Sequence, residues 1–269
     1  MDRHDLWNDW VSVEVYREYV ESYPLYLALN RRIAELAELR SARRILDLGS
    51  GTGETTLACL DFMPARAAIL GVDAAATMVQ VARARVSDPR AQFRCIDVTD
   101  LSVARHGRFD RAVCNAASWL FPNPAAILAR LQRLLGPDGL LVFNIPADRL
   151  RGSTEAPHPF QIELALALRA HLDCSRSLSA QPLFDPGRMR AALEGRGFWI
   201  ETVDVCRYRA RQEELIELMQ IPAMAARLHP SLDGNAGLRV VRSAASRSDP
   251  ELEVEVAWIN YVARRVAAE

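Results

Sequence analysis

The sequence predicts an α/β fold in which a mostly parallel sheet carries helices on both faces. Seven short segments have the composition of strands, and most of them are separated by stretches with helical periodicity. Apolar strands separated by helices are typical of a parallel sheet that is buried on both faces. A chain of 269 residues that is 50% hydrophobic is also long enough to bury such a core.

The first part of the chain follows this alternating rhythm closely. An N-terminal region with helically spaced tyrosines, interrupted by Pro24, precedes the first strand. Strands are predicted at 44–49, 67–73, 91–100, 108–116 and 139–146, and helices at 53–62, 75–86 and 123–135.

The rhythm breaks after residue 146. The amphipathic segment "FQIELALALRAHL" predicts a helix, and a second helix is expected to begin with Asp185 as N-cap and Pro186 at its first position. Two alternating segments, 199–210 and 251–265, predict the last strands. The serine-rich segment 242–250 is predicted to be an exposed loop.

These elements suggest four regions. They are an N-terminal helical cap (1–40), a ligand-binding core (41–146), a lid insertion (147–182), and the C-terminal part of the core (183–269) with a second insertion at 211–250. Both insertions follow predicted strands, and open α/β sheets bind ligands outside the carboxyl ends of their strands. We therefore expect the insertions to form helical lids over the ligand crevice.

The composition excludes several function classes. The formal net charge of −1 gives no overall attraction to nucleic acid or to an anionic membrane. All 33 basic residues are arginine, so neither Schiff-base lysine chemistry nor a P-loop lysine is available. The first residues do not resemble a signal peptide, and no apolar run approaches the roughly 20 residues of a membrane span. With no CxxC pair among the cysteines, we predict a cytoplasmic protein with no metal, nucleic-acid or membrane partner.

The segment "RRILDLGSGTGETTL" (43–57) predicts a buried strand, a glycine-rich turn and a helix. Such turns hold nucleoside triphosphates, dinucleotides or S-adenosylmethionine (SAM). The missing lysine excludes the first ligand. A dinucleotide fingerprint needs a third glycine where this chain has Glu54, whose charge would repel a pyrophosphate. A nicotinamide-dependent oxidoreductase is therefore the weaker alternative, and SAM is favoured.

The loop resembles motif I of the class I SAM-dependent methyltransferases, with the pattern Asp-x-Gly-x-Gly-x-Gly at residues 47–53. The resemblance continues, in the family's order, through "GVDAAATMVQVARAR", "FRCIDVTDL", "FDRAVCNAA" and "LQRLLGPDGLLVF", and covers residues 45–145. It implies a Rossmann-like seven-stranded sheet that is mostly parallel with an antiparallel last strand. It also implies SAM as cofactor and S-adenosylhomocysteine as product.

The resemblance assigns cofactor roles to residues after each of the first strands. Asp47 would meet the ammonium group of SAM, Asp73 the ribose hydroxyls, and Asp97 the adenine amine. Met78 would pack on the adenine, although ordinary core packing explains it equally well. The cofactor-binding residues predicted in this way are Asp47, Gly49, Ser50, Gly51, Gly53, Asp73, Ala74, Met78, Asp97, Val98, Asn115, Tyr16 and Tyr19.

The acceptor side is less well defined. Asn115, at the end of the fourth strand, would face the transferred methyl group, but the family's DPPY or NPPY tetrad is absent, which argues against methylation of DNA bases or glutamine. His158, in a turn fixed by prolines, is a candidate general base. His171 is a second candidate, or a favourable charge at a helix C-terminus. Tyr16 and Tyr19 could close over SAM or be plain core residues.

We therefore predict a SAM-dependent methyltransferase acting on an oxygen, nitrogen or carbon nucleophile of a small-molecule metabolite, with natural-product biosynthesis as one setting. A carrier-protein-bound or macromolecular acceptor is an alternative. A SAM-binding protein without catalysis is another. The acceptor atom, the use of a general base, the pathway and the oligomeric state are left open by the sequence.

Overall fold

The computed structural model describes residues 5–121, 123–149, 152–153, 155–172 and 185–266. These residues group into two compact units. The sheet unit comprises the described parts of Tyr26–Pro146, Phe184–Cys206 and Trp258–Glu269, and the helical unit those of Met1–Leu25, Ala147–Leu183 and Arg207–Ala257. The four-region division predicted above is a different partition and stays a prediction.

The strands form one seven-stranded sheet in the order β3-β2-β1-β4-β5-β7-β6. Strands β1 to β5 pair in parallel, and β7 runs antiparallel to β5. The predicted fold class, with an antiparallel last strand, is therefore confirmed. The strands are β1 (Arg44–Leu48), β2 (Ala68–Asp73), β3 (Ala91–Cys95), β4 (Phe109–Cys114), β5 (Leu135–Pro146), β6 (Phe198–Arg211) and β7 (Glu253–Arg265).

The helices predicted at 53–62, 75–86 and 123–135 are present, whereas the helices Val103–His106, Gln212–Gln220, Pro222–Ala225 and Gly234–Ala245 were not predicted individually. Pro24 does not kink a helix, but separates α1 from α2 by opening the second one. The α-helices are α1 (Trp10–Ser22), α2 (Pro24–Leu36), α3 (Glu54–Leu60), α4 (Ala76–Arg85), α5 (Val103–His106), α6 (Pro124–Leu134), α7 (Pro159–Leu172), α8 (Pro186–Glu194), α9 (Gln212–Gln220), α10 (Pro222–Ala225) and α11 (Gly234–Ala245).

Both faces of the central strands are buried, as their continuous apolar sequences predict. Side chains alternate across a strand, so Ile45 and Leu46 of β1 belong to two different core clusters. The cluster around Leu46 includes residues of α6, and the cluster around Ile45 includes residues of α2 and α4. This double burial is why β1 shows no polar alternation except at Asp47, which lies in the site described below.

The helical unit has its own small core. Phe160 and Leu168 of α7 pack with Ile216 of α9 and with Val240 and Val241 of α11. This core corrects the prediction that 242–250 is an exposed loop, because 242–245 complete α11 and bury Ala244. Arg242 and Ser243 lie on the outer face of the amphipathic last turn of α11. The polar composition of the segment therefore does not indicate that it is helical.

The third predicted strand is also shorter than expected. It ends at Cys95 instead of continuing to residue 100. Asp97 caps a short 3₁₀ turn, Val98–Asp100, by accepting a hydrogen bond from the backbone N–H of Thr99. The turn redirects the chain just beyond the sheet. Within the described part of the chain, no helix has both the length and the apolar character that a membrane crossing requires.

Two glycines of α11 should respond very differently to alanine. A Cβ on Gly237 would lie 2.3 Å from the carbonyl oxygen of Ala225, whereas a Cβ on Gly234 would make an ordinary contact of 3.6 Å with Pro222. We expect Gly237→Ala to lower the free energy of unfolding by about 1–3 kcal/mol, because backbone must move apart. Gly234→Ala should be neutral or stabilise by up to about 1 kcal/mol. Urea unfolding followed by circular dichroism measures both, and equal midpoints for the two variants would contradict this packing.

Candidate functional site

The predicted cofactor residues of the sheet unit lie at one edge of the sheet, where the parallel strands end. In the pairing register Asp47 of β1 is opposite Gly71 of β2 and Val113 of β4. Asp73 is the last residue of β2, and Asn115 directly follows β4. Because β1 lies between β2 and β4, residues that are far apart in the sequence meet around the turn that follows β1.

The turn after β1 needs its glycines. Gly49, Gly51 and Gly53 have φ values of 66°, 52° and 97°, in the left-handed region that side chains with a Cβ rarely adopt. At Gly49 there is also no space, since a Cβ would lie 2.8 Å from the Cβ of Ala117. The backbone N–H groups of Gly49 and Ser50 both donate to the Val72 carbonyl oxygen, which ties the turn to the end of β2.

Asp73 is held by backbone on both sides. One carboxylate oxygen accepts from the N–H of Gly51 at 3.0 Å, and the other accepts from the N–H of Ala75 at 2.8 Å. The carboxylate therefore has a fixed orientation and links the glycine turn to the start of α4. Each oxygen of an ionised carboxylate can accept more than one hydrogen bond, so Asp73 can still receive two ligand hydroxyls.

Asp47 is a buried acid with an unmatched oxygen. Its Oδ2 accepts from the Thr56 hydroxyl at 2.7 Å, whereas its Oδ1 accepts no hydrogen bond from any described residue. Burial raises the pKa of Asp47 to about 7, the Thr56 hydrogen bond opposes this rise, and the nearby charges of Asp73 and Glu54 add to it. A positively charged donor at Oδ1 would satisfy the oxygen and favour the carboxylate.

These features fit SAM. The cofactor carries an ammonium group, and Oδ1 of Asp47 is a buried acceptor that lacks a donor. The Ser50 hydroxyl is likewise buried and without a partner among the described residues. Glycine turns let a ligand approach the backbone, and the carboxylate of Asp73 offers two oxygens to a ribose diol.

The predicted adenine-side residues follow β2 and β3. Asp97 uses Oδ1 to accept from both the backbone N–H and the hydroxyl of Thr99, at 2.7 and 2.6 Å. Met78 of α4 and Val98 are buried, and Ala74 is partly exposed. Their placement agrees with the sheet edge predicted for them, and their contacts with adenine stay a prediction.

Glu54, which the sequence analysis regarded as a free repulsive charge, is paired. Its carboxylate forms an ion pair with Arg85 of α4 and accepts from the Thr52 hydroxyl. The charge is therefore balanced within the protein. The remaining objection to a dinucleotide is the missing third glycine.

Asn115 belongs to a chain of buried side chains that the sequence analysis did not identify. Its Nδ2 donates to Oδ1 of Asn30 in α2, and its Oδ1 accepts from Nδ2 of Asn144 in β5, both at 2.6 Å. Thr55 also donates to Oδ1 of Asn30 at 2.6 Å. The oxygen of Asn115 is already used, so this amide can offer a ligand an N–H group. The available signal was a lone asparagine in an otherwise apolar strand, "GLLVFNIP", because such a residue needs buried partners.

The other predicted site residues belong to the helical unit. Tyr16 packs edge-on against Trp7, with ring centroids 5.8 Å apart, and Tyr19 is buried beside Tyr23. His158 lies just before α7, and His171 is exposed in the last turn of that helix. The roles predicted for these residues in cofactor binding or catalysis stay predictions.

His158 is half-buried, and burial holds the pKa of its imidazole below the ordinary value, although Asp148 and Glu155 oppose this effect. Its backbone N–H donates to Oε1 of Gln161 at 2.9 Å, and Nε2 of Gln161 donates to Asp148 at 2.7 Å. A neutral imidazole can accept a proton at pH 7. Among the described residues, no group of three or more His, Cys, Asp or Glu side chains could hold a metal.

The sequence is similar to those of known methyltransferases. A family model described as a methyltransferase domain matches residues 45–139. Trans-aconitate 2-methyltransferase of Deinococcus radiodurans is 32% identical over 174 residues, which are 62% of this chain and 62% of that protein. The malonyl-[acyl-carrier protein] O-methyltransferase of Acetivibrio thermocellus is 29% identical over 130 residues, or 46% of this chain and 45% of that protein. The chain thus spans less than two thirds of the length of these relatives.

Solved structures share the fold at low identity. The [4+2]-cyclase SpnF has a TM-score of 0.58 and 18% identity, with 90% of this chain and 81% of that chain covered. A SAM-dependent methyltransferase from Thiobacillus denitrificans, in complex with S-adenosylhomocysteine, has a TM-score of 0.54 and 18% identity, with coverage of 89% and 90%. The fold alone therefore does not distinguish methyl transfer from other reactions.

Proposed function

We propose that this chain, which belongs to the class I SAM-dependent methyltransferases, transfers the methyl group of SAM to an oxygen of a small organic molecule. The observation that carries the proposal is the sheet edge at the glycine turn. There a buried acid with an unmatched oxygen, Asp47, lies beside an oriented carboxylate, Asp73, and an amide that can donate, Asn115. SAM would supply an electrophilic methyl group on a sulfonium whose sulfur departs with the electrons of the broken C–S bond.

The work of the protein is then mainly positioning. An oxygen nucleophile must approach the methyl carbon in line with the leaving sulfur, and water must be kept out. Asp47 would hold the amino-acid end of the cofactor and Asp73 its ribose, and an N–H of Asn115 would hold the acceptor oxygen. Phenolic or alcoholic acceptors would lose a proton, for which we propose His158 as the base, whereas a carboxylate acceptor needs none. His171 is a second candidate base.

An aromatic group supports an organic acceptor. Trp258 of β7 is opposite Pro146 at the end of β5, and so lies at the same sheet edge. Its ring is 5.4 Å from that of Trp119 and 6.4 Å from that of Tyr26, measured between centroids. Burial raises the pKa of Tyr26, so its hydroxyl stays protonated. Trp258 and Tyr26 are buried and Trp119 is partly exposed, and an aromatic ring at this position suits a partly apolar molecule better than a polyanion.

The relatives favour oxygen as the acceptor atom, since one of them is named an O-methyltransferase. That relative, by its name, acts on malonyl groups attached to an acyl carrier protein, so a carrier-bound acceptor is the second candidate. A protein that binds SAM without transferring its methyl group is the third. The observation in favour of this third candidate is the shared fold of SpnF, because SpnF is named a cyclase and not a methyltransferase.

Two measurements test the proposal. Calorimetric titration with S-adenosylhomocysteine should show one binding site, and titration with a nicotinamide dinucleotide should show none. Purified protein with methyl-labelled SAM should then label a small molecule in a panel of organic acids and phenols that includes trans-aconitate. Label that appears only on malonyl carrier protein would select the second candidate. Binding without transfer to any panel member or cell extract would select the third, and absence of binding would refute all three.

A further inference from the structure

The orientation of the three asparagines Asn30, Asn115 and Asn144, here called the amide cluster, follows from one backbone group. The N–H of Ala116 donates to the side chain of Asn144 at 2.7 Å, and a backbone N–H can meet only an oxygen. The other end of that amide is therefore nitrogen, and it donates to Oδ1 of Asn115. By the same reasoning Nδ2 of Asn115 donates to Oδ1 of Asn30. Each amide thus has one assigned direction.

The amide cluster has more donors than acceptors. All three side-chain oxygens accept hydrogen bonds, and that of Asn30 accepts two, from Asn115 and Thr55. The nitrogens are used much less. Asn115 and Asn144 each donate once within the cluster, and the Nδ2 of Asn30 donates to no residue in the described part of the chain. Only 3% of Asn30 is exposed, and its Nδ2 keeps some access to solvent, because it is not among the fully buried side-chain atoms that lack a hydrogen-bond partner.

N–H groups at the accessible edge of a nearly buried residue are available to a ligand that accepts from them. A carboxylate oxygen can accept several hydrogen bonds at once, and its charge makes each bond stronger than a bond to a neutral oxygen. A cationic or purely apolar ligand would leave the donors unsatisfied. The chemistry of the amide cluster therefore favours a carboxylate.

The amide cluster adjoins the glycine turn. Thr55, which donates to Asn30, lies in the first turn of α3, directly after Gly53. Ala116 and Ala117 continue from Asn115, and Ala117 closes against Gly49. The unused donors are therefore next to the place where SAM would lie.

We propose that the amide cluster, with Asn30 as its principal donor, binds a carboxylate group. This inference rests on the proposed function, because two carboxylates would then be present at the site. One belongs to the amino-acid part of the cofactor, and the other to an acidic methyl acceptor. In both cases the Nδ2 of Asn30 supplies the donors that select for the carboxylate.

The test replaces Asn30 by aspartate. Asn30→Asp keeps an oxygen that accepts from Thr55 and Asn115, but replaces both N–H donors by an oxygen that repels a carboxylate. Binding is measured for S-adenosylhomocysteine, for 5′-methylthioadenosine, which lacks the amino-acid part, and for trans-aconitate added to protein saturated with S-adenosylhomocysteine. Thr55→Val is the matched control, since it removes a hydrogen bond to Asn30 and no amide donor.

If the carboxylate is that of the cofactor, Asn30→Asp should lower the affinity for S-adenosylhomocysteine about tenfold to a hundredfold. The affinity for 5′-methylthioadenosine should not change. If it is that of the acceptor, both adenosine compounds should bind as in the wild type while trans-aconitate binding falls by a similar factor. Thr55→Val should stay within about threefold of the wild type in every titration.

Equal weakening of S-adenosylhomocysteine and 5′-methylthioadenosine would show a merely structural role for Asn30 and overturn the inference. So would unchanged binding of both adenosine compounds without a change in trans-aconitate binding. If the wild type binds S-adenosylhomocysteine, neither of these two results contradicts the proposed function. Absence of binding in the wild type is the separate outcome that refutes the function itself.

Discussion

Asp47→Asn is expected to stabilise the unliganded protein at pH 8 and to lower its affinity for S-adenosylhomocysteine at least tenfold. At pH 8 the wild type holds a buried carboxylate with an unmatched oxygen, and its raised pKa of about 7 reports the cost of that charge. Each unit by which the pKa is raised corresponds to about 1.4 kcal/mol by which the ionised carboxylate destabilises the folded protein at pH 8. The variant removes this destabilisation, although its unpaired side-chain amide destabilises the fold by about 1–3 kcal/mol. The ligand ammonium loses its counter-charge in the variant, which is why binding falls.

The pH dependence of the wild type follows from the same group. The pKa of Asp47 is raised from 3.8 to about 7 on folding, so between these values the native state binds more protons than the unfolded state. This contribution to stability is complete below pH 4 and is lost as the pH rises through 7. Ligand affinity moves the other way, since an ammonium group prefers the carboxylate, and should fall as the pH drops from 8 to 6.

Urea unfolding and calorimetric titration at pH 6, 7 and 8 measure both effects. Asp61→Asn serves as the control, because Asp61 is exposed at the end of α3 and its replacement changes the net charge equally. The control should follow the wild type at every pH. A wild type and an Asp47→Asn variant with parallel pH profiles for S-adenosylhomocysteine affinity would contradict the role assigned to Asp47.

Asp73→Asn is expected to weaken S-adenosylhomocysteine by about a hundredfold or more, since hydrogen bonds to charged groups are worth about 1.5–3 kcal/mol each. The two carboxylate oxygens accept from two backbone N–H groups, at Gly51 and Ala75. An asparagine there must direct an N–H₂ group at one of these donors, which loosens the glycine turn. It also replaces an anionic acceptor for the ribose by a neutral amide.

The matched control is Asp100→Asn, at an exposed acid in the 3₁₀ turn beyond β3. It removes the same charge near the same sheet edge without touching the glycine turn. Calorimetry with S-adenosylhomocysteine and with adenosine should show a loss for both ligands in Asp73→Asn, because both carry the ribose. An Asp73→Asn protein that binds either ligand within about threefold of the wild type would refute the ribose assignment.

Much of this site was predictable because it depends on local sequence. The family and its cofactor, predicted from residues 45–145, agree with the methyltransferase-domain match over residues 45–139 and with related proteins that are named methyltransferases. Strands with buried faces must be apolar, so Asp47 inside β1 is conspicuous. Glycines at left-handed positions are equally conspicuous, since few other residues tolerate them.

Other features depended on contacts between distant segments. Asn30 and Asn115 are 85 residues apart, and only the packing of α2 against the end of β4 brings them within 2.6 Å. The ion pair of Glu54 with Arg85 likewise joins the start of α3 to the end of α4. Because of this pair, the charge of Glu54 no longer argues against a dinucleotide. Residues 242–245 were wrongly predicted to be loop because the buried face of α11 depends on α7 and α10, which no local pattern indicates.

By itself the sequence determined the doubly covered parallel sheet, the glycine turn and the acids that follow the strands. Each of these is fixed by burial or backbone conformation within a few residues. The tertiary structure alone decided which oxygen of Asp47 lacks a donor, which end of the Asn115 amide accepts from Asn144, and that Asn30 lies beside Asn115. The physical reason is that hydrogen-bond direction and burial depend on every neighbour of a group, and most of those neighbours come from other parts of the chain.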